Sequence, residues 1–85
     1  MDNMTKNELI FKAGQKRWEL DAEAIAIKKA ARKCEALKNK ALDNDDYKRA
    51  SEYTHTLLNY YNKIIDIENE INHIKNYIVN MSLSK

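Results

Sequence analysis

From Ala50 to Met81 the apolar positions fall into two interleaved tracks that repeat every seven residues. One carries Ala50, Leu57, Ile64, Ile71 and Ile78; the other, three residues on, carries Tyr53, Tyr60, Ile67, Ile74 and Met81. A 3-4 alternation averages 3.5 residues, close to the 3.6 of an α-helical turn, so both tracks lie on one side of a helix. Five heptads in register predict a long helix with another helix packed along it.

Upstream, a stripe of mostly small residues follows a similar spacing: Leu9, Ala13, Leu20, Ala24, Ile27, Ala31, Cys34 and Ala41. Alanines let a facing helix come close, and the Ile and Tyr tracks supply the volume that alanines lack. Punctuation sets the boundaries. Thr5-Lys6-Asn7-Glu8 reads as a capping box, flanked by Met4 and Leu9 at the positions of a hydrophobic staple. The first helix is therefore expected from about 6 to 40, with Gly14 inside it. Leu42-Asp43-Asn44-Asp45-Asp46-Tyr47 supplies the next signal. Asp43 is read as the N-cap, Leu42 and Tyr47 as a second staple pair, and Lys38 and Lys40 as cations near the end of the first helix. The turn is placed at about 41–44 and the second helix at about 44–81. So short a connection predicts antiparallel neighbours. The expected fold is all-α: one helical-hairpin domain over 1–85, coiled-coil-like, associating further into a helical bundle.

Association is expected because the hairpin seam does not use all the apolar residues. Phe11, Trp18 and Ile25 repeat every seven residues, starting two residues (about 200° of rotation) before Ala13 and so nearly opposite the inner stripe of the first helix, and Leu58, Tyr61 and Ile65 (with Tyr47) widen the apolar arc of the second. Exposed aromatic patches of this kind mark interfaces. The first set is read as anchors for a partner, the second as a self-association surface. The alternative is a bend that folds the hairpin over them.

Composition narrows the class. Among 85 residues there is one glycine and no proline, which leaves little for turns or strand boundaries. The net charge of +2 does not by itself imply nucleic acid. Its distribution says more: residues 1–42 hold ten Lys/Arg against six Asp/Glu, and residues 43–85 hold five against seven, so the halves are about +4 and −2. The densest cluster is Lys28, Lys29, Arg32 and Lys33, and Arg32 continues the Phe11–Trp18–Ile25 track. Such a face suits phosphates or an acidic protein surface, with an aromatic packing beside it; the plain alternative is a solvated helix face. A single cysteine excludes an internal disulfide and fits a reducing compartment. With neither an apolar leader nor a membrane-length apolar run, a cytoplasmic, non-membrane protein is expected.

Candidate chemistry is sparse. His55 and His73 stand eighteen residues apart, about 27 Å along a helix, and cannot share a metal. Asp43, Asp45 and Asp46 are accounted for by helix capping, and Cys34 by the small-residue stripe. No metal, cofactor or enzymatic activity is expected. The expected function is a non-catalytic protein-protein interaction module that packs its helices against a larger protein or nucleoprotein complex as adaptor, chaperone or inhibitor. One concrete version is a phage-encoded inhibitor of a bacterial defence complex such as a CRISPR effector. Two alternatives stand beside it: a homodimeric nucleic-acid-binding regulator, and a structural or co-chaperone subunit of a secretion system. In layout the chain resembles the Rop-type plasmid copy-number regulators, which implies a dimeric four-helix bundle binding RNA through its first helix. It also resembles small type III secretion needle and co-chaperone proteins, but Leu42–Asp46 lacks the needle proteins' proline. WXG-type hairpins have their tryptophan in the turn, whereas Trp18 lies mid-helix.

Overall fold

A computed structural model describes residues 5–83 as two helices, α1 (Lys6–Asp43) and α2 (Tyr47–Leu83), packed antiparallel into a rod of 62 × 20 × 15 Å. The fold is the expected all-α hairpin. α1 opens as the capping box requires: the Thr5 Oγ1 accepts from the backbone N–H of Glu8 at 3.2 Å. The Met4 half of the first staple lies outside the described residues.

The turn departs from expectation. α1 continues three residues beyond Lys40, and Asp43 belongs to its last turn instead of capping α2. The chain leaves α1 through a Schellman arrangement. The N–H of Asp46 donates to the Ala41 carbonyl at 2.8 Å and that of Asp45 to the Leu42 carbonyl at 3.0 Å, while Asp45 adopts the left-handed conformation (φ 58°) that closes the motif. Glycine usually fills that position; aspartate is among the few other residues that tolerate it. The N-cap of α2 is Asp46, whose Oδ1 accepts from the N–H of Arg49 at 3.2 Å and whose carbonyl accepts from Ala50 at 3.0 Å. One aspartate thus finishes α1 and starts α2. With Asp46 as cap, a staple would need Asp45 and Ala50, so the predicted Leu42–Tyr47 pair does not form one, and both side chains are exposed.

The seam follows the predicted tracks. Lettering the α2 heptad with Ala50 at a and Tyr53 at d, the residues at a from Ala50 to Ile71 are buried. Ile78 and the d residues other than buried Ile67 are half-buried. α1 takes the same register with Ile10, Arg17, Ala24, Ala31 and Lys38 at a, and Ala13, Leu20, Ile27, Cys34 and Ala41 at d. Leu9, read as part of the inner stripe, flanks the seam at g while Ile10 sits on it. Two clusters fix the alignment: Leu20 and Ala24 pack with Ile67 and Ile71, and Ala31 and Cys34 pack with Leu57. In each, alanines of α1 receive bulky side chains of α2, so volume is conserved across the seam. The Cys34 thiol donates to the Tyr53 carbonyl on the other helix at 3.4 Å.

Candidate interaction surface

In an antiparallel pair, the e positions of one helix flank the seam on the same side as the e positions of the other, and each b position stands next to them. The structure shows this side directly. Asp21, Ile25 and Lys28 of α1 share a shallow groove with Glu68, Asn72 and Lys75 of α2, and the Lys28 Nζ lies 3.6 Å from the Glu68 Oε1. Next along, Gly14 and Trp18 border Ile78. On the opposite flank, Ala30, Lys33 and Leu37 face Tyr53, Thr56 and Tyr60. The rod therefore has a b/e face and a c/g face.

Sorted this way, the exposed large apolar side chains are unevenly shared. Phe11, Trp18 and Ile25 (65, 73 and 57% exposed) are all at b on α1, not diametrically opposite the seam but about 130° round from its centre. Leu58 and Ile65 at b and Tyr61 at e continue the same face on α2, as do Tyr47 and Val79, and Leu42 at e lies on it at the turn end of α1. Leu37, Tyr77 and Leu83 are the exceptions among the described residues. The two sets that the sequence assigns to separate surfaces, a partner site on the first helix and a self-association site on the second, lie on one continuous face.

That face has a direction. On α1 Phe11, Trp18 and Ile25 occupy the half toward the open end of the hairpin; on α2 Ile65, Tyr61 and Leu58 occupy the half toward the turn, while Val79 lies near the open end and Leu42 and Tyr47 lie at the turn. Ile25 follows Ala24 and Ile65 follows Ile64, and the packing of Ala24 with Ile67 brings the two halves to a common level at mid-rod. The result is an oblique apolar band crossing from one helix to the other. Beside it, the b/e positions carry Asp21, Glu35 and Glu68 against Lys28, Arg32 and Lys75, three charges of each sign.

The four cations of the basic cluster are all exposed on the outward side of α1, with Lys28 at e, Lys29 at f, Arg32 at b and Lys33 at c. The structure places them as one patch bordering the band, with Lys28 engaged by Glu68. Arg17, at an a position of the seam, lies 4.0 Å from Asp21 of its own helix. His55 and His73 are exposed on α2. Among the described residues, no three His, Cys, Asp or Glu side chains gather where a metal ion would be held, and no helix is long and apolar enough to cross a membrane. The antiparallel pairing of e with e, applied to the b tracks of both helices, is the signal that joins the two apolar sets.

Comparison of the chain with protein-family models, with curated proteins and with solved structures finds no match.

Proposed function

We propose that the protein is a non-catalytic helix-packing module that works by contact through its b/e face, in the manner of an adaptor, chaperone or inhibitor of a larger assembly. The concentration of exposed Phe11, Trp18, Ile25, Leu58, Tyr61 and Ile65 on one face supports this reading. Apolar area of this kind is favourable to remove from water, and aromatic anchors dominate the energies of interfaces. The bordering charges orient the contact more than they strengthen it. A photo-crosslinking amino acid placed at position 18, and separately at position 26 on the c/g flank, tests the assignment in cells making the protein. The expected result is a discrete cross-linked product from position 18 and none from position 26. Equal yields from both positions, or no product from either, overturn it.

A second reading is favoured by a different observation, the contiguous exposure of Lys28, Lys29, Arg32 and Lys33. Such a patch suits a phosphate backbone, and binding there falls steeply with salt. Titration of a short RNA and DNA duplex at low salt, with Arg32→Ala and Lys33→Ala beside the unaltered chain, decides it. Absence of binding at low salt ends that reading.

A further inference from the structure

We infer that the b/e face is covered by a second copy of this chain, so that two hairpins associate face to face into a four-helix assembly. The inference rests on the reading of that face as the contact surface and names its occupant.

Three properties of the face point to a self-contact. The first is area. The three aromatic side chains of the band, Phe11, Trp18 and Tyr61, are 43–73% exposed; at roughly 150–250 Å² of side chain each, they leave about 350 Å² uncovered. Half-exposed Ile25, Leu58 and Ile65 raise the total to about 600 Å² per copy before any polar rim is counted, within reach of the roughly 800 Å² per partner that a stable interface buries.

The second is charge. A twofold contact sets a surface against itself, so a face of one sign would repel its own copy. At its b and e positions this face carries three acidic and three basic groups, with Lys29 and Lys33 on the adjoining f and c positions.

The third is the shape of the band. It crosses obliquely from Phe11 and Trp18 on α1 through Ile25 and Ile65 to Tyr61 and Leu58 on α2, so aromatic side chains stand toward both of its ends. A twofold axis along or across the band brings band onto band with the two rods crossing at an angle, the way interdigitated helix surfaces pack. The c/g face has no such band: acidic and basic side chains dominate it, and of the large apolar residues it exposes Leu37 and Tyr77.

Light scattering on the full chain over a concentration series tests the inference, read together with the emission of Trp18, the sole tryptophan. The mass should rise from one chain to two, and Trp18 emission should shift to shorter wavelength with the same midpoint. Trp18→Glu and Ile65→Glu, one on each helix, should each raise the dissociation constant by about 100-fold or more while circular dichroism stays helical. Ala26→Glu, on the c/g flank, should leave it unchanged. A chain that remains monomeric at high concentration overturns the second copy as occupant. Cross-linking from position 18 to a different protein would then leave the contact face standing. A dimer whose Trp18 emission does not move, or that tolerates both face variants, overturns this inference, and with it the assignment of the face to self-contact.

Discussion

The two helices are almost equal in length, 38 and 37 residues, yet they contribute differently to the seam between them. The buried positions of α2 are Ala50, Leu57, Ile64, Ile67 and Ile71; those of α1 are Leu20, Ala24, Ala31, Cys34 and Ala41. α2 supplies the bulk, and α1 supplies the space that bulk enters. α1 also tolerates charge in the seam, with half-buried Arg17 and Lys38 at a positions, where long stems can lie along the apolar surface while their heads stay in water. A helix with so little bulk on its inner side contributes less transfer energy to the pair. Its large side chains Phe11, Trp18 and Ile25 point elsewhere. The division teaches that α1 is built to serve two surfaces, whereas α2 is built first for its partner helix.

Substitutions that exchange these roles test the division. The largest effect is expected from Leu57→Ala, which empties a site 4% exposed between Ala31 and Cys34: a loss of about 2–4 kcal/mol, read by urea denaturation. If the cost is under about 1 kcal/mol, α2 does not carry the bulk of the seam. Next is Ala31→Leu, which asks α1 to be bulky as well. Overpacking against Leu57 should cost about 1–3 kcal/mol, and a stabilised variant would show that the seam has room that the division denies it. Asp46→Ala removes the cap of α2 and leaves α1 its C-terminal carbonyl bonds, so a loss of about 1 kcal/mol is expected. Gly14→Ala should act in the other direction. Nothing lies within 4 Å of a Cβ built there, so the helix gains up to about 1 kcal/mol, seen as a raised melting temperature. The smallest effect is expected from Trp18→Ala. At concentrations low enough to keep the chain monomeric, its folding free energy should change by less than about 0.5 kcal/mol. A loss of helicity instead would make Trp18 part of the core.

Legibility in the sequence follows the same division. The α2 tracks could be read because each member is apolar and the period never breaks, so pattern and burial coincide down to Met81. In α1 the pattern is diluted by alanine and broken by Arg17 and Lys38, and the stripe read from it takes Leu9 in place of Ile10. The turn lies three residues later than the sequence pattern predicts, for a local reason. Asp43, Asp45 and Asp46 are equally good caps by type, and the choice among them depends on which aspartate enters the left-handed region, a property of the closing geometry. The surface residues were legible singly as apolar side chains without a seam to fill. Their union on one face was not, because it depends on how two helices are aligned, which no single helical wheel contains.

The turn has a further consequence, for the ends of the rod. Because α1 and α2 are antiparallel and similarly long, Lys6 and Leu83 emerge at the same pole, and the Asn44–Asp46 corner stands alone at the other. Anything attached at Lys6 or Leu83, whether a fluorophore, a surface tether or another polypeptide, is held at one pole, with the corner projecting up to 62 Å away. A pair of dyes at positions 6 and 83 would therefore report proximity in the folded hairpin and separation on opening, giving a distance gauge for the two helices that leaves both faces untouched.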